Sequence, residues 1–226
     1  MTETGARVAG ATAVVTGGQR GLGKAIVDEL LARGAAKVYS TSRRPETSTD
    51  PRVTVVQADV TDPDSVAKLA ALAGDATIVV NNAGLLGAES LLHSDIDEVR
   101  SVFDTNVFGA LRVTQAFAPA LARNGRGTVV NIASVLSWLP GSGAYGSSKA
   151  ALWSATNSLR LELQPDGINV IGVYLAYTDT SMIAHLDVPK NDPAEVARQI
   201  VDGIESGAPE VLADDITRSA RAGVFA

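Results

Sequence analysis

Short apolar runs alternate along the whole chain with stretches of helical periodicity. The first run, at 11–16, stops at glycines and reads as a buried strand. Beyond it Leu22, Ile26 and Leu30 recur at helical spacing, and Gly34 closes that helix. The runs at 37–42 and 53–57 read as the second and third strands. Asp62-Pro63 opens a helix, with the acid as N-cap and proline at the first helical position. The run at 76–81 is a fourth strand. Two helices follow over roughly 95–104 and 106–123; the second carries Val107, Leu111, Ala118 and Leu121. The fifth strand is expected over 126–132, then a loop to Tyr145 and a helix to about Leu163. The sixth strand is 168–173. Asp192-Pro193-Ala194-Glu195 has the form of a capping box and starts a helix through Val196, Ile200 and Ile204 to Gly207. A short last strand is expected at 210–213.

Strand and helix alternate throughout, and most strands are continuous apolar runs. Such strands are buried on both faces, as in a parallel sheet between two layers of helices. The predicted fold class is α/β: a single-domain doubly wound parallel sheet of Rossmann type, helices on both faces. Its ligand should lie beyond the carboxyl ends of the strands. The domain takes the whole chain, 1–226, with 1–9 and 218–226 expected as peripheral tails.

Composition narrows the chemistry. At 226 residues the chain can bury one sizeable core. A net charge of -6 and a pI near 4.9 give no basic face for nucleic acid. There is no cysteine, which excludes disulfides, thiolate catalysis and cysteine zinc sites. His93 and His185 lie far apart with no partner cluster, so no metal is expected. With no leader-like N-terminus and no apolar run long enough to span a bilayer, a cytoplasmic protein without membrane contact is expected.

The glycine-rich stretch 17–23 lies between the first strand and its helix. Glycines there let the backbone approach a pyrophosphate, and the helix N-terminus offers free N–H groups. An NAD site usually has an acid at the end of the second strand. Here that region reads Thr41, Ser42, Arg43, Arg44. Arginine suits a 2′-phosphate, and Arg20 of the glycine loop is placed to join it, so NADP(H) is the expected cofactor. Tyr145 and Lys149 are four positions apart, on one face of a helix start. A free phenol near pKa 10 exchanges protons poorly at neutral pH, and an adjacent ammonium favours the phenolate.

Taken together these motifs resemble the short-chain dehydrogenase/reductase family over nearly the whole chain. The stretch 16–23 (TGGQRGLG) matches its glycine motif and 81–84 (NNAG) its signature after the fourth strand. Asn106, Ser134, Tyr145 and Lys149 match its catalytic set in order. The resemblance implies hydride transfer between a nicotinamide and a carbonyl or alcohol carbon. Tyr145 would exchange the proton, Ser134 would bind the substrate oxygen, Lys149 would lower the tyrosine pKa and bind the ribose, and Asn106 would hold a water linked to Lys149. Cofactor contacts are expected from Gly17, Gln19, Arg20, Gly21, Leu22, Gly23, Ser42, Arg43, the adenine-binding pair Asp59 and Val60, Asn81, Ala83, Gly84, Tyr145, Lys149 and Thr180.

Three positions depart from the pattern. The stretch from Ser134 to Tyr145 is about two residues short, which brings Ser137 forward as a substitute for Ser134. Leu175-Ala176 stands where the family has Pro-Gly. The segment 181–191 is short for a substrate lid. An apolar pocket wall is expected from Leu85, Leu86, Leu136, Trp138, Leu139, Tyr177, Met182 and His185, suiting a small lipophilic carbonyl or alcohol substrate. The alternatives are an NADP(H) sensor without turnover, or a non-redox isomerase or lyase on the same scaffold. A homotetramer or homodimer is expected through the helices beginning near Asn106 and Tyr145, with Val113, Phe117, Trp153 and Leu161 as candidate apolar contacts.

Overall fold

The computed structural model describes residues 5–125 and 127–224. Arg126, expected to open the fifth strand, and the ends of both expected tails (1–4, 225–226) lie outside them. Seven strands form one sheet: β1 (Thr12–Val15), β2 (Lys37–Ser42), β3 (Val53–Gln57), β4 (Ile78–Asn81), β5 (Thr128–Ile132), β6 (Asn169–Tyr174) and β7 (Glu210–Leu212). Their order is β3-β2-β1-β4-β5-β6-β7, and every pairing is parallel. From β1 the chain builds outward to β3, then returns to place β4 on the other side of β1. The crevice of a doubly wound fold opens at that reversal.

Successive strand residues point to opposite faces, and here both faces are apolar. Val15, Val80, Val130 and Val173 pack with Ile26 and Leu30 of α1 (Gly21–Ala32) and Val196, Ile200 and Ile204 of α6 (Pro193–Ser206). Their neighbours Val14, Val79, Val129 and Val170 face the other way. These meet Val66 and Leu69 of α2 (Pro63–Leu72), Val113, Phe117 and Leu121 of α4 (Ala110–Asn124), and Leu159 of α5 (Gly143–Leu163). Val113 and Phe117, candidates for a partner contact, are therefore core residues of their own subunit, while Leu161 is 72% exposed. Among the described residues no helix is long and apolar enough to cross a membrane.

Sequence and structure differ at four places. The two helices expected around residue 105 form one continuous run, in which α3 (Ile96–Phe103) joins α4 through a π-helical turn, Asp104–Gly109. The wider turn turns Asn106 inward, where it is 1% exposed. The expected capping box at α6 is half made. Asp192 accepts from the Ala194 N–H, but Glu195 turns to Arg198 and Gln199. At the N-terminal end Val8 is fully buried and the Ala6 N–H bonds Ile204 O at 3.1 Å, so the expected tail is partly core. Residues 218–223 belong to a last helix, α7 (Asp215–Gly223). Its small apolar face, Ile216 and Ala220 one turn apart, is not packed into the core, Ile216 being 58% exposed; polar contacts fasten it, including Arg218 to Leu212 O at 2.8 Å and Arg221 to Glu210 at 3.0 Å.

Because Phe117 faces the sheet, Phe117→Ala is expected to cost about 3–5 kcal/mol of stability and to leave the oligomeric state unchanged. Denaturant unfolding with light scattering checks both.

Candidate active site

The glycine loop is shaped by what it excludes. Gly17 and Gly21 have φ of +65° and +51°, in the left-handed region that favours glycine. A Cβ on Gly23 would stand 2.2 Å from Gly17 O, and one on Gly18 2.6 Å from Ser40 Oγ. Helix α1 then starts with no side-chain cap at Arg20. In contrast α2, α3, α6 and α7 are capped by Asp62, Asp95, Asp192 and Asp214. Like α1, α5 starts without a side-chain cap; the uncapped first N–H groups of α1, which follow the glycine loop, are available to an anion. Leu22, 8% exposed, points into the core. Thr180, arriving from β6, lies 3.1 Å from where a Gly21 Cβ would stand.

The loop after β4 is fastened to this cradle. Thr16 Oγ1 accepts from the Asn82 and Ala83 N–H groups, both at 3.0 Å. Asn82 Nδ2 donates to Thr16 O at 2.9 Å and Gly17 O at 3.1 Å. Asn82 is not among the cofactor contacts expected from the NNAG stretch, where Asn81 is, yet it is the one that reaches the glycine loop. The Asn81 side chain points away from the loop, donating to Asn131 Oδ1 at 2.8 Å and Thr114 Oγ1 at 3.0 Å. A strand-end asparagine pair alternates faces, and only one member can reach the glycines. Gly84 lies near Asn106, whose Oδ1 would be 3.6 Å from a Cβ there.

At the β2 end, Gln19 Oε1 accepts from Ser42 Oγ at 3.0 Å and the Glu46 N–H at 2.8 Å. Its Nε2 donates to Glu46 O at 2.6 Å. Gln19 therefore braces the loop that presents Arg43 and Arg44. Arg20, Arg43 and Arg44 are exposed, and among the described residues none has an ion-pair partner. The Asp59 carboxylate accepts from the Thr61 N–H at 2.9 Å and Thr61 Oγ1 at 2.7 Å. Burial pushes its pKa up, but these bonds and the nearby Arg43 outweigh burial and hold it below the ordinary range. Val60 is buried beneath Gly109.

Ser134, Tyr145 and Lys149 meet past the end of β5, and Asn106 joins them through Ser148 of α5. The Ser134 side chain lies against the Tyr145 phenol and favours the phenolate, while its hydroxyl donates weakly to Leu175 O at 3.5 Å. It also accepts from the Leu136 N–H at 3.2 Å. Lys149 Nζ stands 5.5 Å from the Tyr145 ring centre and donates to Ile132 O at 2.6 Å. The Asn106 amide donates to Leu85 O at 3.0 Å and Ser148 Oγ at 2.9 Å, and its Oδ1 accepts from the Leu85 N–H at 2.8 Å. A carboxamide so committed has one Oδ1 lone pair left for a water. Burial pushes the phenol up to about 12, against the opposing effect of Ser134. Burial also brings the Lys149 ammonium down to about 8. At neutral pH the site thus holds a protonated phenol beside a mainly protonated lysine, an arrangement able to give a proton to an oxygen placed against Ser134 and Tyr145.

A family model described as short chain dehydrogenase matches residues 11–191. The chain belongs to the short-chain dehydrogenase family. It is 34% identical over 195 residues to a 1-deoxy-11-beta-hydroxypentalenate dehydrogenase of Streptomyces exfoliatus, covering 79% of this chain and 71% of that protein. It is 36% identical over 184 residues to a short-chain dehydrogenase of Penicillium ochrochloron, covering 75% and 66%. A crystal structure of a short chain dehydrogenase from Burkholderia cenocepacia J2315 in complex with NADP superposes with a TM-score of 0.92 at 36% identity, covering 98% of this chain and 95% of that one.

In this short-chain dehydrogenase the Ser134–Tyr145 connection reverses sharply just before α5. Gly141, Ser142 and Gly143 all have positive φ, at 127°, 54° and 50°. For Ser142 that backbone costs roughly 1–2 kcal/mol. The reversal leads directly into α5, whose first turn carries Tyr145. Ser137 is no substitute, because its hydroxyl donates to Lys149 O at 3.0 Å. Nor does Trp138 line a pocket near Tyr145. It packs against Tyr174, ring centres 4.4 Å apart, and Trp153 at 6.5 Å, with Arg221 over its ring. Leu139 instead lines a shallow groove of about 460 Å³ with Ile216, Ser219 and Ala220 of α7. Leu85, Tyr177 and Met182, from the expected apolar wall, are exposed.

Burying Lys149 has a cost that depends on pH. The unfolded chain keeps the lysine proton to about pH 10.5, while the folded protein releases it near 8. The penalty, about 3 kcal/mol, is full below pH 8 and fades as pH rises towards 10.5. Relative to Lys149→Met, the ligand-free wild type should therefore gain roughly 2 kcal/mol between pH 7 and 9.5. Urea unfolding of both proteins measures this; a difference independent of pH would contradict a lysine held near 8.

Proposed function

We propose that this chain is an NADP(H)-dependent oxidoreductase of the carbonyl reductase or alcohol dehydrogenase type, acting on a small lipophilic ketone, aldehyde or secondary alcohol. The observation that carries the reading is the convergence of Ser134, Tyr145 and Lys149 beside a glycine loop whose helix is left uncapped. The residues present fit the cofactor. Gly17, Gly21 and Gly23 with the α1 N-terminus take the pyrophosphate, Asp59 and Val60 the adenine, and Thr180 the nicotinamide end. Arg43, with Arg20 and Arg44, takes the 2′-phosphate, on a loop braced by Gln19 and Ser42. Asn81, Ala83 and Gly84 line the groove, Asn81 through its main chain. When bound, NADP(H) supplies or accepts the hydride at the substrate carbon.

The chain's own residues handle the oxygen and its proton. Ser134 hydrogen-bonds the substrate oxygen and holds it beside the phenol. In reduction Tyr145 gives its proton to that oxygen; in oxidation it takes the proton back. Lys149 favours the phenolate that forms and binds the ribose hydroxyls. Asn106 secures the Leu85 main chain and the α5 residue Ser148, which fixes the floor under the tyrosine. The NADP complex of the Burkholderia cenocepacia protein and the dehydrogenase names of the relatives support this reading. Association into dimers or tetramers is part of the proposal, with the exposed Phe108 and Leu161 as contacts in place of Val113 and Phe117.

Two variants test the reading. Tyr145→Phe is expected to lose turnover by at least about 10³-fold, in the range of a general acid–base group, while NADPH still binds; near wild-type turnover would overturn it. Arg43→Ala is expected to weaken NADPH binding roughly 10- to 100-fold, the worth of a charge-assisted bond, with NADH little changed. Fluorescence titration with both cofactors reads this. A wild-type preference for NADH would reject the 2′-phosphate assignment.

A further inference from the structure

Asp214 lies outside the tyrosine–lysine group, at the start of α7, yet its carboxylate reaches the floor of that site. One oxygen, Oδ2, accepts from the Ala176 N–H at 2.8 Å and from Asn191 Nδ2 at 3.0 Å. The other, Oδ1, accepts from the Thr217 N–H at 2.8 Å and so caps α7. The Ala176 N–H belongs to the same peptide group as the Leu175 carbonyl. That carbonyl accepts from the Val135 N–H at 3.0 Å and, weakly, from Ser134 Oγ at 3.5 Å. One planar peptide is thus held by Asp214 on one side and by the Ser134 turn on the other. Asn191 carries the same anchor further. Its main chain accepts from Asp179 N at 3.0 Å and donates to Tyr177 O at 2.8 Å, around the buried Thr178. Those contacts fix the segment that delivers Thr180 to Gly21.

We propose that Asp214 is a positioning residue for the reaction: it orients the 175–176 peptide, so that Leu175 O holds the Ser134 hydroxyl in register with Tyr145, and through Asn191 it sets the 177–180 segment against the glycine loop. This rests on the oxidoreductase reading above. Neither Leu175 nor Ala176 constrains its own backbone as proline would, so orientation at this corner comes from contacts, and the Asp214 carboxylate is one of them. Burial pushes its pKa up, but bonds from Ala176, Thr217 and Asn191 outweigh burial and hold it below the ordinary range. It is therefore ionised across neutral pH and its bonds are charge-assisted. A charged acceptor on a peptide N–H also polarises the peptide and strengthens its carbonyl as an acceptor.

The test uses the full chain and three variants: Asp214→Ala, Asp214→Asn and, as a control for loosened α7 alone, Arg218→Ala, which removes the Leu212 O contact without touching the peptide. NADPH-dependent turnover gives kcat and KM, thermal unfolding gives stability, and hydrogen exchange reports on 174–180 and 134–137. Asp214→Ala should lower kcat at least tenfold, change the carbonyl KM less than threefold, and speed exchange in both segments. Asp214→Asn, which keeps an acceptor, should recover part of kcat. Arg218→Ala should lower stability with kcat near wild type. Equal kcat losses in Asp214→Ala and Arg218→Ala would overturn the proposal. So would faster exchange in Asp214→Ala with kcat unchanged. Absence of turnover in the wild type over a broad carbonyl panel would reject the oxidoreductase reading itself. The anchoring would then stand or fall on exchange, and unchanged exchange at 174–180 in Asp214→Ala would reject it.

Discussion

A lysine ammonium buried against one main-chain carbonyl is the constraint on which the rest of the site depends. Lys149 Nζ meets Ile132 O at 2.6 Å, and the side chain is 4% exposed. A charge so placed is tolerated only if the groups around it are fixed. Ile132 ends β5, in the middle of the sheet, and Ser137 ties the Lys149 carbonyl to the turn after that strand. The same α5 turns that bury the lysine present Tyr145 to Ser134. Burial moves both groups towards their neutral forms, the phenol up and the lysine down. The ligand-free site is therefore set to hold a proton on the tyrosine, the state in which it can give one away.

The scaffold makes this affordable by keeping its core elsewhere. Two apolar layers, one on each face of the sheet, hold the strand ends in register, so the loops at those ends are free to carry polar and strained residues. Strain gathers there. Ser142 has a positive φ, and so does Ala88, whose carbonyl accepts from the Ala144 N–H at 2.9 Å beside the start of α5. Non-glycine residues in that region are uncommon and gather at functional sites.

Much of this was legible in the sequence because it is periodic or local. Apolar runs gave the parallel sheet, and Asp-Pro gave the starts of α2 and α6. The glycine stretch and the Tyr145/Lys149 spacing located both halves of the site. What escaped depends on three-dimensional context. Whether Asn81 or Asn82 faces the glycine loop depends on strand pleat and register. The π turn at Asp104–Gly109 leaves no mark in hydrophobic period. Helix α7 is nine residues long, held largely by charged side chains, and its one short apolar face, Ile216 and Ala220, is too brief to mark a helix. Trp138 reads as pocket lining in a loop, but it closes the short helical turn 135–137, from which its ring packs on Tyr174. Asp214 carries no motif at all; its contact with Ala176 joins residues 38 positions apart.

The central claim, that the chain moves a hydride to a carbonyl carbon, is tested most directly by following the label. NADPH carrying deuterium at both C4 positions is given to the wild-type protein with a panel of apolar ketones and aldehydes, and the products are read by mass spectrometry and NMR. The account predicts one deuterium on the carbinol carbon of the product alcohol. NADPH that binds tightly yet leaves no deuterium in any product would contradict it.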